Sequence, residues 1–131
     1  MMDTQSLINL LTSLSQKNRA KTQMTLGGLI ARLQQLDQSL EMEGLYGPHS
    51  FRGYYCDIAF ERGDHKLKVS EVLQTVRRCK GKTFVGYKGG NFKMVKDTPV
   101  WIAAYGGCGP RLMSIKDDGT LVTAHEDEVY L

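Results

Sequence analysis

Residues 83–123 read TFVGYKGGNFKMVKDTPVWIAAYGGCGPRLMSIKDDGTLVT, and this stretch decides the fold class. Short runs of β-branched and aromatic residues alternate in it with KGGN, DTP, GGCGP and DDGT, which are typical turn sequences. Gly89-Gly90 and Asp118-Gly119 favour tight hairpins, because such turns require a positive φ that glycine adopts easily. The pattern predicts an antiparallel meander of strands.

The region before this meander is predicted to contain a strand and one inserted helix. Residues 54–60 are aromatic and apolar enough to predict a strand, whereas Gly44, Gly47 and Pro48 are typical of turns. A helix near 70–80 is expected to begin at a Ser70 cap and to end before Gly81. Its predicted buried side consists of Val72, Leu73 and Val76.

Two further helices are predicted at the N-terminus. A leucine stripe defines the first, which is expected to end before the polar residues 15–22, and a Thr25 cap begins the second. The stripe favours either an intrachain core or contact with another copy of the chain. Gly27-Gly28 indicates either close helix packing or a phosphate cradle at a helix N-terminus. The stripe residues are Leu7, Ile8, Leu10, Leu11 and Leu14.

These elements together predict an α+β fold, with N-terminal helices, an antiparallel sheet and one inserted helix. The length of 131 residues fits a single domain over 1–131, in which a helical part (1–40) precedes a β-rich body (41–131). No run is long and apolar enough for a membrane span, and no secretory signal is recognisable, so a cytoplasmic location is expected.

Composition argues against several classes of site. Three widely spaced cysteines disfavour a disulfide framework, and the scattered histidines disfavour a metal site. The net charge is +3, and the basic residues are interpreted as spread along the chain, so duplex nucleic acid is not an expected partner.

The sequence contains no recognisable catalytic motif. It lacks a nucleophile elbow, a P-loop and an HExxH pair. Asp57 and Glu61, or Asp117 with Asp118, are the acids that could serve a metal-dependent enzyme acting on nucleotides. Simpler interpretations are polar sheet positions for the first pair and turn formers for the second.

Glycines, aromatic residues and cations concentrate in SFRGYY (50–55), FVGYKGGNF (84–92) and YGGCGPR (105–111). Glycine lets a ligand approach the backbone closely, rings stack on bases, and guanidinium groups bind phosphate. Arg52, Lys88, Asn91 and Arg111 all lie near glycines and are candidates for binding an anionic, nucleotide-like ligand. The alternative is that the glycines only turn hairpins and the rings only fill the core.

The motifs LGGLIARL, SFRGYYCDIAF, FVGYKGGNF and DTPVWIAAYGG resemble the first family of phage anti-Thoeris proteins, over about residues 25–123. The resemblance implies a non-enzymatic sponge without cofactor, acting in the host cytoplasm. Its ligand would be a cyclic ADP-ribose isomer, with cyclic oligonucleotides as further ligands. It also implies a β-sandwich-like body and a homodimer or higher homo-oligomer such as a hexamer.

The same resemblance implies roles for six residues. Phe84 would stack on adenine, Asn91 and Arg111 would make polar contacts, and Arg52 and Lys88 would bind phosphate. Arg32 would serve a neighbouring pocket. The alternative function is a small inhibitor that binds a host nuclease or polymerase through its acidic C-terminus or exposed aromatic residues.

Overall fold

The computed structural model describes residues 3–103 and 109–125. Within these residues, three helices and seven strands follow one another. They are α1 (Thr4–Thr22), α2 (Leu26–Gln35), β1 (Glu41–Ser50), β2 (Ile58–Lys68), α3 (Val69–Cys79), β3 (Thr83–Val85), β4 (Asn91–Lys93), β5 (Val100–Ala103), β6 (Arg111–Ile115) and β7 (Leu121–Ala124).

The strands form a five-stranded sheet in the order β1-β2-β5-β6-β7 and a separate β3-β4 hairpin. The α+β class with an inserted helix is confirmed, but the prediction of a wholly antiparallel meander is wrong. Strand β5 runs parallel to β2, in a register from Ile58 opposite Val100 to Glu61 opposite Ala103. Because α3 and the β3-β4 hairpin form the connection between these strands, the chain returns to the sheet in the same direction.

Strand β1 was not predicted, since its glycines and proline resemble turn residues. It pairs with β2, and the register shifts between Glu43 and Leu45 and between Tyr46 and His49. Such bulges admit glycine and proline within a strand. The Tyr46 ring lies over Gly63, where an added Cβ would fall 1.6 Å from Tyr46 Cε2. The predicted strand at 54–60 in fact begins at Ile58 and extends to Lys68.

The helix predictions are partly confirmed. α2 begins after a Thr25 cap, whose side chain accepts a hydrogen bond from the Gly28 N–H. α1 continues to Thr22 instead of ending before residue 15. α3 begins one residue early, at Val69, and its N-cap Lys68 makes no side-chain capping bond, so the Ser70 cap is wrong.

The glycine pair at the start of α2 serves packing. The Gly27 N–H donates to the Lys96 carbonyl, and a Cβ on Gly27 would lie 3.0 Å from that oxygen. The N–H groups of Leu26 and Gly28 are also bound within the chain, by the Thr98 carbonyl and the Thr25 hydroxyl. No N–H of this triplet is left for an anion, so the phosphate-cradle alternative is excluded here.

The sheet has two differently covered faces. On one face α2 and α3 bury the main core, which includes Leu29, Val72, Phe60, Ile102 and Leu112. Side chains alternate along a strand, so Ala59, Trp101 and Ala103 lie on the opposite face, where Phe51 and Tyr54 pack on them. The loop between β1 and β2 therefore covers the second face.

Candidate functional site

A buried ion pair joins α1 to this second face. Arg19 is the buried residue of α1, and its guanidinium binds the Asp57 carboxylate at 2.7 Å (Nε to Oδ2) and 3.0 Å (Nη2 to Oδ1). The Trp101 indole N–H donates to Asp57 Oδ2 at 2.9 Å, and the Gln16 amide donates to Oδ1 at 3.3 Å. Asp57 is completely buried, and these donors satisfy its charge.

Aromatic rings continue the layer beside the ion pair. The Phe51 and Trp101 rings stack with centroids 4.2 Å apart, and the Arg19 guanidinium lies 3.7 Å from the Tyr54 centroid. Burial opposes the charged form of Arg19, but the hydrogen bonds and charge of Asp57 outweigh it and raise the arginine's pKa. Arg19 is therefore a permanently charged, structurally engaged group.

A groove with a volume of about 480 Å³ opens next to this layer, between α1, the loop and β4. We call it the α1 groove. Its volume falls within the range typical of small-molecule sites. It is lined by Leu11, Thr12, Ser15, Arg19, Tyr54, Tyr55, Cys56 and Phe92.

The thiol in the α1 groove is not an activated nucleophile. Burial, and then the charge of Asp57, raise the pKa of Cys56 to about 11, against the opposing effect of Arg19. A thiol with such a pKa is protonated near neutrality, and only the thiolate attacks carbon or phosphorus. Cys56 therefore packs in the groove without nucleophilic character.

Three of the predicted site residues lie on the β3-β4 hairpin. Phe84 pairs with Phe92 across the hairpin, is half-buried and packs against the main core. Asn91 is exposed opposite Val85, and Lys88 is exposed in the turn. Phe84, Lys88 and Asn91 therefore belong to one hairpin. The Phe84 ring faces inward, whereas Lys88 and Asn91 are exposed.

Arg52 connects the β1-β2 loop to this hairpin. Its guanidinium lies 4.4 Å from the centroid of the Tyr87 ring. Nearby, the Tyr55 and Phe92 rings approach to 6.3 Å. The predicted proximity of the SFRGYY and FVGYKGGNF stretches is therefore present in the structure.

Arg111 and Arg32 lie elsewhere and bind their own chain. Arg111 lies opposite Trp101 in the sheet and donates to the His125 carbonyl at 3.1 Å, while its buried Nε has no hydrogen-bond partner among the described residues. Arg32 donates to the Ile115 carbonyl and forms a 2.7 Å ion pair with Asp117. The predicted GGCGP loop covers residues 106–110. Three of these five residues, 106–108, lie outside the described residues.

The six predicted residues share no cavity within one chain. None of them lines the α1 groove or any of four further cavities among the described residues. The common pocket around Asn91 and Arg111 is therefore not found in the described part of a single subunit.

The acids considered for metal chemistry are also bound within the chain. Asp57 is saturated by Arg19 and Trp101, and Glu61 pairs with His49 at 3.0 Å. Hydrogen bonds from the side chain and then the backbone N–H of Thr120 lower the pKa of Asp118, as expected for a turn former. Across residues 3–103 and 109–125, no group of three or more His, Cys, Asp or Glu side chains is placed to hold a metal ion.

Two surface features were missed or underestimated in the sequence. The first is a run of cations without acids, which we call the basic segment (residues 77–96). It contains seven exposed basic side chains: Arg77, Arg78, Lys80, Lys82, Lys88, Lys93 and Lys96. The interpretation of evenly spread basic residues was wrong, and counting acids segment by segment would have shown this.

The second feature is the leucine stripe of α1, which does not enter the core of the chain. Leu7, Ile8, Leu10, Leu11 and Leu14 remain between 44% and 57% exposed. This exposure disfavours packing of the stripe in the core of its own chain. A contact with another molecule is the expectation that remains.

Comparison of the chain with known protein families, curated proteins and solved structures finds no match. Among the described helices, none has both the length and the hydropathy of a membrane span. Functional inference therefore depends on the geometry described above.

Proposed function

We propose that this chain is a non-catalytic binding protein that sequesters a cyclic nucleotide signal, in keeping with its resemblance to the anti-Thoeris sponges. The observation that carries the proposal is the α1 groove, a cavity of about 480 Å³ lined by the rings of Tyr54, Tyr55 and Phe92. Aromatic rings at the wall of such a groove suit a purine base, since stacking contributes about 1–3 kcal/mol per base.

The polar contacts of the ligand are assigned to residues close to these rings. Arg52 precedes Tyr54 by two residues. In this proposal Arg52 binds phosphate, whereas Asn91 and Lys88, which do not line the groove, make no contact with the ligand. Phe92 takes the stacking role first expected of Phe84, because Phe92 lines the α1 groove and Phe84 does not.

Retention without turnover is supported by the chemistry of the groove. Cys56 is held protonated, and the Asp57 carboxylate beneath it is occupied by Arg19 and Trp101. Neither group is available as a nucleophile or general base. A ligand in this groove meets aromatic rings and the guanidinium of Arg19, which is already paired with Asp57. This environment favours binding over cleavage.

We also propose that the sponge is a homodimer formed through α1. Its exposed stripe has an area on the order of 400 Å², comparable to patches that mark interaction sites. Residues 4–16 carry no charge, whereas Asp3 precedes them and Lys17 and Lys21 follow. An antiparallel pair of α1 helices brings the acidic end of each helix to the basic end of the other.

The partner helix has a consequence for ligand binding. Leu11 belongs both to the exposed stripe and to the wall of the α1 groove. A second α1 packed on the stripe therefore covers one side of the groove and excludes water from it. Binding and dimerisation are expected to be coupled, so that each stabilises the other.

Calorimetry with cyclic ADP-ribose isomers and cyclic di- and trinucleotides tests the sponge. We expect binding that weakens in Tyr55→Ala and is unchanged in Tyr46→Ala, a matched tyrosine on β1 outside the groove lining. Ligand released by heating should be chemically intact. A cleaved product, or no binding at millimolar ligand, would overturn the proposal.

Native mass spectrometry tests the dimer. Wild-type protein is expected to be dimeric at micromolar concentration, and Leu7→Gln is expected to be monomeric and folded, because this side chain is half-exposed in one chain. A wild-type monomer at these concentrations would exclude the α1 interface.

The exposed stripe also favours a second candidate, an inhibitor that docks on a host nuclease or polymerase. An apolar helix face of this kind suits a groove on another protein. A pull-down from host lysate separates the functions. A stoichiometric host protein lost in Leu7→Gln supports the inhibitor, and ligand binding without such a protein supports the sponge.

A further inference from the structure

The charge of this protein is strongly asymmetric. Seven of its 17 Lys and Arg residues fall within residues 77–96, and no acid lies between Glu71 and Asp97. Since the whole chain has a net charge of +3, the residues outside the basic segment carry a net charge of −4. A basic block on an otherwise acidic chain is the electrostatic footprint of a polyanion partner.

Among the described residues, no acid forms an ion pair with these cations. All seven are exposed, and the ion pairs of the described part of the chain involve other basic residues, namely Arg19, Arg32, His49 and Arg62. The Lys82 ammonium lies 5.2 Å from the centroid of the Phe84 ring. Unpaired like charges in one segment repel each other, so a bound polyanion relieves this repulsion.

The β3-β4 hairpin presents part of this segment on one outer face. Side chains alternate along a strand, so while Phe84 and Phe92 turn toward the core, their neighbours point outward. The pairs Thr83–Lys93 and Val85–Asn91 form this outer face, and Val85 is 70% exposed. We call it the hairpin face.

An exposed ring stands at the end of the hairpin face. Tyr87 is 64% exposed, and the guanidinium of Arg52 lies 4.4 Å from its centroid. Gly89 and Gly90 follow with φ of 93° and 83°, and a Cβ at Gly89 would meet nothing within 4 Å. The turn therefore offers a ring, a guanidinium plane and bare backbone with no obstruction at Gly89.

We propose that the hairpin face binds single-stranded nucleic acid, with Lys88 and Lys93 contacting phosphates and Tyr87 stacking on an unpaired base. Lysines that track a backbone beside an exposed ring are the combination that such sites use. A duplex is disfavoured because its bases stack on one another and leave none free for Tyr87. The site is separate from the α1 groove, whose ring Phe92 faces the other way.

Fluorescence anisotropy with a labelled 12-nucleotide oligo-dT tests this inference at 50 mM salt. We expect binding that weakens with salt, with a log–log slope of about −1.4 for two phosphate contacts. Tyr87→Ala should weaken binding about tenfold, as expected for loss of one stacked base. The same sequence in a duplex should bind more weakly.

Matched variants distinguish a specific binding site from nonspecific electrostatic attraction. Lys93→Glu should weaken binding and reduce the salt slope by about one contact, whereas Lys116→Glu, the same change at an exposed lysine outside the basic segment, should have little effect. Tyr55→Ala, which tests the α1 groove, should leave oligo-dT binding unchanged, so failure of the sponge proposal does not affect this one.

Three results would overturn the inference. One is no binding of oligo-dT at 50 mM salt. Another is equal loss of binding in Lys93→Glu and Lys116→Glu together with no effect of Tyr87→Ala, which would indicate nonspecific attraction. The last is binding to vesicles containing 30% phosphatidylserine that depends on Tyr87 while oligo-dT binding does not, which would assign the hairpin face to a lipid surface.

Discussion

Removal of the Asp57 carboxylate should destabilise this fold more than any surface change. Asp57 is completely buried, and the side chain of Arg19 is 10% exposed. Asp57→Ala leaves the Trp101 N–H buried without an acceptor and leaves the Arg19 guanidinium buried without its carboxylate, with Ser15 Oγ as an acceptor for Nη1. Breaking one partner of a buried ion pair costs about 3–5 kcal/mol of unfolding free energy, a large part of the stability of a small domain.

Urea denaturation measures this loss well, because the buried Trp101 is the only tryptophan of the chain and reports on the site itself. Circular dichroism followed in parallel tests whether unfolding is two-state. Asp57→Asn keeps the shape and an acceptor oxygen, and it should be less destabilised. It therefore remains informative if Asp57→Ala does not fold.

A double-mutant cycle distinguishes the ion pair from a general packing defect. Arg19→Ala leaves a buried carboxylate, and the double variant Arg19→Ala/Asp57→Ala should lose much less than the sum of the single losses. Glu43→Ala, which breaks the exposed Glu43–Arg62 pair, is the control and should cost less than about 1 kcal/mol. Additive losses at Arg19 and Asp57, or single losses as small as the control, would refute the reasoning.

Other expected outcomes follow from individual residues. Gly119→Ala should destabilise more than Gly81→Ala, because both glycines have positive φ but only at Gly119 would the Cβ fall 2.8 Å from Met42 Cβ; equal losses in urea titrations would contradict this. Burial raises the pKa of Cys56 and Cys79 to about 11, so both thiols should alkylate slowly at pH 8 in peptide mapping, and rapid alkylation of folded protein would contradict the assignment. A thiol whose pKa is raised in the folded state contributes stability in full when the pH is below the pKa of that thiol in the unfolded chain. Thermal stability should therefore fall as the pH rises from about 9 toward 11.

The candidate site was only partly predictable. The sequence indicated the stretches 50–55 and 84–92, and the structure brings them together through Arg52 and Tyr87. It did not indicate which ring of each stretch faces outward, because that depends on the strand register that turns Phe84 inward. Arg32 was assigned to a ligand by resemblance, whereas the tertiary structure pairs it with Asp117.

The role of Asp57 was missed for a similar reason. A carboxylate inside the apolar run YYCDIAF is a signal of a buried, paired acid, since a lone buried charge is too costly. Its partner, however, lies 38 residues away on a helix that was expected to end earlier. The pairing was therefore not deducible from local pattern.

Local chemistry determined the turns and the α2 start from the sequence alone. Gly89, Gly90 and Gly119 adopt the positive φ that their hairpins require, and Thr25 caps α2, because these preferences depend on a few neighbouring atoms. The parallel pairing of β2 with β5, the Arg19–Asp57 pair and the exposed stripe of α1 were decided by the tertiary structure. Each of these depends on which distant segments meet, and that follows from burying the whole core together rather than from any one stretch.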